Sequence, residues 1–201
     1  MQPDLTLIVA ATRSMGIGLN GAMPWTNLRK EMRYFARVTT RVAPQAPLGA
    51  VNAVIMGRKT WDSIPPRFRP LKNRLNIVIS RQHSSAPAEG APETVRASSL
   101  EQAVELARTH PLVSRVFVMG GGQIYDAALG MDVVRRVLLT RIEEEYECDT
   151  FFGLELGGEA KVPGWTRRPV EEWRDWTGEE GDGKMEEESG VRYEWQMWER
   201  E

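Results

Sequence analysis

Short apolar runs that alternate with helical segments constrain this chain most. Leu5–Ala11 is an almost unbroken apolar run, and similar runs recur at Val51–Met56, Leu75–Ile79 and Arg115–Met119. Runs of this length are typical of strands buried on both faces of a sheet. Because strands that alternate with helices form parallel sheets, we predict an α/β fold. Its central sheet should be mixed but mostly parallel, with about eight strands flanked by about four helices.

The C-terminal strand should differ from the others. Residues Val191–Trp198 alternate between apolar and polar side chains, which is typical of an antiparallel strand at one side of a sheet. Neither a repeat nor a linker interrupts the 201 residues, so we expect a single domain over residues 1–201.

Composition excludes several classes of protein. Hydrophobic residues make up 41% and charged residues 27%, as in soluble globular proteins, and no apolar run approaches the ~20 residues of a membrane span. The N-terminus has no basic segment typical of a signal peptide, so we expect a cytoplasmic location. Cys148 is the sole cysteine, which excludes an internal disulfide. With only His83 and His110 besides, we expect no His/Cys metal site.

Charge is distributed unevenly along the chain. Residues 1–81 carry 13 Lys and Arg against 3 Asp and Glu, whereas residues 142–201 carry 7 against 19. A basic first third predicts an anionic partner.

Glycines and cations follow the ends of several predicted strands. Gly120–Gly122 lies between a strand and a helix, Gly57–Thr60 follows the second strand, and Ser80–Arg81 follows the third. Helix N-termini and glycine turns bind phosphates, although each segment alone could be a tight turn or a solvated surface. Together they favour a dinucleotide with an extra phosphate, hence NADP rather than NAD. The match of Gly16–Gly21 to a dinucleotide fingerprint fails because no helix follows it, which leaves a flexible loop that could cover a ligand.

Glu31 is the most informative acidic residue. It lies in a predicted helix, Leu28–Thr39, which Thr26 or Asn27 could cap, and it borders the apolar face of that helix. No cation lies three or four residues away, so a surface ion pair within the helix is not available. A carboxylate that faces a cleft could bind a planar amidine-like group through two hydrogen bonds.

The sequence resembles dihydrofolate reductase over nearly its whole length, and its length and the acidic insertion before its last strand resemble the fungal members. The segments that carry the resemblance, in the family's order and spacing, are Ile8–Ala11, Met15–Gly18, Asn20–Gly21, Met23–Trp25, Leu28–Phe35, Val54–Trp61, Ser63–Pro65, Arg69–Leu71, Arg74, Val78–Arg81, Gly120–Gly122, Ile124–Tyr125, Thr140–Ile142 and Asp149–Phe152.

The resemblance implies a reaction and a set of residues for it. NADPH would deliver hydride to C6 of 7,8-dihydrofolate while N5 gains a proton through water, giving tetrahydrofolate. Glu31 would bind the 2-amino and N3 positions of the pterin, Thr140 would hydrogen-bond Glu31, Trp25 would order water, and Arg74 would pair with the glutamate tail. The remaining substrate-binding residues would be Ile8, Val9, Met32, Phe35, Ser63, Ile64, Leu71, Met119 and Tyr125.

The same resemblance implies a cofactor site and a cis peptide at Gly120–Gly121. The residues that would contact NADPH are Ala10, Gly16, Ile17, Gly18, Leu19, Asn20, Gly21, Ala22, Gly57, Arg58, Lys59, Thr60, Ser80, Arg81, Gln82, Gly120, Gly121, Gly122, Gln123, Ile124 and Tyr125. Within this set Arg58, Ser80 and Arg81 would take the 2′-phosphate.

Some features depart from the family pattern. Met32 and Met119 stand where many relatives carry Phe and Ile or Val, which puts affinity for particular antifolates in doubt. The segment 155–190 matches poorly, and no site residues are carried over there.

Two alternatives are a related pyrimidine or pterin reductase on the same fold and a nucleic-acid-binding module, although no nucleic-acid motif is present. We expect a monomer with dihydrofolate and antifolates as its partners, without membrane or nucleic acid.

Overall fold

The computed structural model describes residues 1–81, 94–159 and 161–201, so the expected cofactor residue Gln82 lies outside the described residues. The strands are β1 (Leu5–Thr12), β2 (Gly16–Gly18), β3 (Val51–Gly57), β4 (Arg74–Ile79), β5 (Thr94–Ala97), β6 (Val113–Val118), β7 (Val134–Ile142), β8 (Thr150–Phe151), β9 (Trp165–Arg167), β10 (Glu186–Glu188) and β11 (Val191–Arg200). The helices are α1 (Arg29–Thr40), α2 (Arg58–Ser63), α3 (Leu100–Thr109), α4 (Gly122–Leu129) and α5 (Val170–Thr177).

Within the described residues the main sheet has nine strands in the order β10-β11-β7-β1-β6-β3-β4-β5, with β9 pairing to β11. The neighbours from β7 to β5 are all parallel, and β11 lies antiparallel to β7. The predicted α/β class, the mostly parallel sheet and the antiparallel C-terminal strand are therefore confirmed. Strands β2 and β8 form a separate antiparallel pair.

Successive side chains of each strand point to opposite faces of the sheet, so the sheet has one apolar core on each face, and helices cover both. Val9 packs in the core that contains α3 and α4, whereas Ile8 packs in the core that contains α1 and α5. Tyr34 is the largest side chain of α1 in the second core and is 1% exposed. Met32, which was expected among the substrate-binding residues, is 62% exposed on the same helix.

Helix α1 begins without the predicted side-chain cap. Its N-cap residue is Leu28, and no side chain of the cap accepts a hydrogen bond. The Glu188 carboxylate accepts from the Lys30 backbone N–H instead, at 2.8 and 3.0 Å. The expectation that Thr26 or Asn27 caps this helix was therefore wrong, because a residue distant in sequence satisfies the helix start.

The described residues contain neither a candidate membrane span nor a cluster of metal-ligating side chains. None of the helices in residues 1–81, 94–159 and 161–201 is long and apolar enough to cross a membrane. Over the same ranges no three His, Cys, Asp or Glu side chains lie together so as to hold a metal ion.

Candidate active site

The Glu31 carboxylate accepts a hydrogen bond on each of its oxygens. The Thr140 hydroxyl donates to Oε1 at 2.8 Å, and the Trp195 indole N–H donates to Oε2 at 2.6 Å. Thr140 lies on β7 directly opposite Trp195 on β11 and directly opposite Ala10 on β1. Helix α1 thus places Glu31 against a row formed by three adjacent strands of the sheet.

Burial changes the acidity of this carboxylate. Desolvation raises the pKa of Glu31 from 4.5 to about 7, against the opposing effect of the Trp195 and Thr140 hydrogen bonds. The negative charge of Glu188 raises it further. A cationic partner beside this carboxyl group would favour its ionised form and lower its pKa again.

Apolar side chains from several elements form one cluster around this carboxylate's helix. Ile8 is buried in the cluster, and the partly buried members on the expected substrate list are Phe35, Ile64, Leu71 and Met119. Val9 does not join them, because its side chain points to the opposite face of the sheet. Ser63 is exposed and its hydroxyl donates to the Thr60 carbonyl at 2.6 Å.

Arg74 is fixed at the other end of α1. Arg74 is 7% exposed, and its Nη1 donates to the Thr39 hydroxyl at 2.9 Å. Nε donates to the Lys72 carbonyl, also at 2.9 Å. Trp25 is 5% exposed and packs with Leu28, near the start of the same helix. The helix therefore carries Glu31 near its N-terminus and contacts Arg74 near its C-terminus.

The predicted glycine segments meet at one edge of the sheet. The Gly57 N–H donates to the Gly120 carbonyl at 2.9 Å, which joins the start of α2 to the turn before α4. The Gly120–Gly121 peptide is cis, as the resemblance implied, and Gly120 has a φ of 119° that favours glycine. A Cβ on Gly121 would lie 3.5 Å from the Thr60 hydroxyl. These glycines leave room beside the first N–H groups of α4, where an anion is stabilised.

Other expected cofactor residues surround this glycine edge. Ile124 packs against Gly57, since a Cβ on Gly57 would lie 3.3 Å from Ile124 Cγ1. Tyr125 is buried, and its hydroxyl donates to the Ile8 carbonyl at 2.6 Å, which links α4 to β1. The exposed side chains near the ends of these strands and helices are Arg58, Lys59, Arg81 and Gln123, while Ser80 and Thr60 are half-buried.

The loop after β1 lies against the same edge. Strand β2 pairs with β8, and Asn20 and Gly21 form a tight turn between the paired residues Leu19 and Ala22. Asp149 accepts from the Asn20 N–H at 3.0 Å. Beyond it, Thr150 lies so close to α4 that a Cβ on Gly122 would be 2.7 Å from Thr150 Cγ2. The loop that was expected to cover a ligand is thus anchored beside the N-terminus of α4.

Trp195 is the site residue that sequence reasoning missed. The alternation in β11 predicts which side chains share a face, but it does not show which strand β11 joins or in which register. An aromatic residue with an N–H donor on that strand was the available signal.

Comparisons with known proteins agree with the resemblance. A family model described as "Dihydrofolate reductase" matches residues 4–156. Among the relatives, the dihydrofolate reductase of Pneumocystis carinii is 38% identical over 100% of this chain and 98% of its own length. That of Candida albicans is 40% identical over 99% of this chain and 98% of its own, and that of Mus musculus is 38% identical over 100% and 99%. A solved Schistosoma mansoni dihydrofolate reductase superposes with a TM-score of 0.76 at 31% identity, and the match covers 100% of both chains.

Proposed function

Because this chain belongs to the dihydrofolate reductase family, we propose that it reduces 7,8-dihydrofolate to 5,6,7,8-tetrahydrofolate with NADPH as the hydride donor. The observation that carries the proposal is the Glu31 carboxylate, held by a donor on each oxygen beside an apolar cluster. When bound, NADPH supplies the hydride that reaches C6 of the substrate, while N5 gains a proton.

Glu31 anchors the pterin in this proposal. Each carboxylate oxygen has two lone pairs, so each can accept from the pterin in addition to its protein donor. The 2-amino and N3 groups form a planar pair of donors that suits a bidentate carboxylate. The negative charge also stabilises the substrate protonated at N5, and Trp25 would order the water that delivers this proton. Arg74 would bind the carboxylate tail at the opposite end of the helix.

The chain's residues fit NADPH at the glycine edge. Gly121 and its neighbours on α4 would hold the pyrophosphate by their backbone N–H groups, with Lys59 and Thr60 beside it. Arg58 and Arg81 would bind the 2′-phosphate, together with the Ser80 hydroxyl. The anchored loop over residues 16–22 would exclude water from the reacting atoms. A cytoplasmic monomer that also binds antifolates in the substrate cleft remains our expectation.

The direct test is the absorbance at 340 nm when the chain is mixed with NADPH and dihydrofolate. We expect the absorbance to fall, and to fall far more slowly with Glu31→Gln or Glu31→Ala. Glu187→Gln is a matched control, because Glu187 is exposed on β10. Folded wild-type protein that leaves the absorbance constant would refute the proposed function, and near-normal turnover by Glu31→Gln would refute the role of Glu31.

Cofactor preference has its own test. Arg58→Ala should raise the KM for NADPH about tenfold or more, since a hydrogen bond to a charged group contributes ~1.5–3 kcal/mol. The KM for NADH should change little, because NADH lacks the 2′-phosphate. Arg33→Ala removes an exposed arginine from α1 and should affect neither cofactor. Equal weakening of both cofactors by Arg58→Ala would place the 2′-phosphate elsewhere.

A further inference from the structure

The C-terminal strand contributes a hydrogen-bond donor to the carboxylate of the proposed substrate site. Trp195 on β11 stands opposite Thr140 on β7, and its indole N–H meets Oε2 of Glu31 at 2.6 Å. The hydroxyl of Thr140 meets the other oxygen at 2.8 Å. The carboxylate is therefore held from both sides by two side chains that face each other across one strand pair.

Packing fixes the indole ring itself. Trp195 stacks on Tyr34 with ring centroids 4.4 Å apart and an interplanar angle of 19°. Trp173 continues the stack, 6.2 Å from Trp195, and its own indole N–H donates to the Tyr34 hydroxyl at 3.1 Å. A ring held in this way presents its N–H in one direction, so the donor loses little freedom when it binds the carboxylate.

We propose that Trp195 is a positioning residue for Glu31, whose indole N–H holds Oε2 so that both carboxylate oxygens face the pterin together. The inference rests on the proposed role of Glu31 as the pterin anchor. With Thr140 on Oε1 alone, the carboxylate could rotate about its last bond. With Trp195 on Oε2 as well, the plane of the carboxylate is set before substrate arrives, which reduces the ordering cost of binding.

The donor also favours the ionised form of Glu31. The titratable groups around Glu31 are Glu188 on β10, Tyr193 on β11 and Tyr34 on α1. The charge of Glu188 raises the pKa of Glu31, whereas the charge of Glu31 raises the pKa values of the two tyrosines and keeps them neutral. Desolvation has the largest effect and raises the pKa of Glu31, whereas the Trp195 hydrogen bond lowers it. Loss of the indole N–H should therefore both loosen the carboxylate and make it harder to ionise.

Trp195→Phe tests the proposal, because it keeps an aromatic ring on Tyr34 and removes the N–H. Trp173→Phe is the matched control, since it removes an indole N–H from the same stack without touching Glu31. One readout is the KM for dihydrofolate, which should rise about tenfold in Trp195→Phe. A second is the titration of Glu31 in the free protein, followed by carbon NMR of the labelled glutamate carboxyl, whose signal is identified by its loss in Glu31→Gln.

In Trp195→Phe the Glu31 midpoint should move to a proton concentration about tenfold lower, and in Trp173→Phe it should stay in place. In the wild-type chain, the Trp195 indole proton signal should shift with pH at the same midpoint as Glu31. This measurement tests the contact even where a variant fails to fold. Unchanged titration and KM in Trp195→Phe, or equal effects of both variants, would overturn the proposal. The titration requires no substrate, so its outcome is independent of whether the chain reduces dihydrofolate.

Discussion

Glu31→Gln should stabilise the fold at neutral and alkaline pH while it abolishes most activity. The glutamine keeps the shape of the side chain, and its carbonyl oxygen can still accept from Trp195 while its amide donates to the Thr140 hydroxyl. What the change removes is a carboxyl group whose pKa is raised to about 7 in the folded chain by burial. Such a group binds its proton more tightly when folded, so its ionisation opposes folding.

The magnitude follows from the two pKa values. Below about 4.5 the carboxyl is protonated in both states and has little effect on the pH dependence of stability. As pH rises from 4.5 through 7, the unfolded chain ionises first and the wild-type fold loses free energy of unfolding. At ~1.4 kcal/mol per pH unit, the loss reaches about 3 kcal/mol, of which about 2.5 kcal/mol falls between pH 5 and pH 8. This is an upper bound, because Glu31 is only half-buried by its surface exposure.

Urea unfolding at several pH values measures this effect. The free energy of unfolding of Glu31→Gln minus that of the wild type should grow by up to ~2.5 kcal/mol from pH 5 to pH 8. Glu187→Gln, at an exposed position of β10, controls for the general effect of replacing a carboxylate. A difference that stays constant across this pH range would refute the claim that the folded state raises the pKa of Glu31.

Two further changes test the surroundings of the site. Gly122→Ala would place a Cβ 2.7 Å from Thr150 Cγ2, and we expect the displaced contact to raise the KM for NADPH about tenfold, with Gly130→Ala as the control. Glu188→Ala removes the carboxylate that accepts from the Lys30 N–H, and urea unfolding should show a loss of ~1 kcal/mol that Glu187→Ala does not cause.

Local sequence patterns predicted the parallel strands well, because burial on both faces leaves a continuous apolar run. They failed at the start of α1, where the rule for capping looks only at neighbouring residues. The carboxylate that satisfies the Lys30 N–H comes from Glu188, 158 residues further along the chain. The start of α3 follows the local rule, since its N-cap residue Ser99 accepts from the Gln102 N–H at 3.1 Å.

The residues of the candidate site also differ in whether the sequence alone could reveal them. Glu31 could be found from its sequence context, because it lacks a helical cation partner and borders an apolar face. Trp195 could not, because its role depends on the register that places it opposite Thr140. Arg74 was expected as a ligand contact, yet the structure also gives it a local role, since it donates to the Thr39 hydroxyl of α1.

The opposite charges of the two ends of the chain meet along α1. Lys30 in its first turn pairs with Glu186 of β10. Arg37 in its last turn and Arg41 at its C-cap both pair with Glu179. Glu179 is only 9% exposed, and although burial raises its pKa, the hydrogen bonds and charges of the two arginines lower it below the usual value. Two carboxylates of the segment 155–190 therefore hold both ends of the helix that carries Glu31. The segment 155–190, which matches the family pattern poorly, therefore fixes the helix, and β11, which directly follows it, supplies Trp195 to the Glu31 carboxylate.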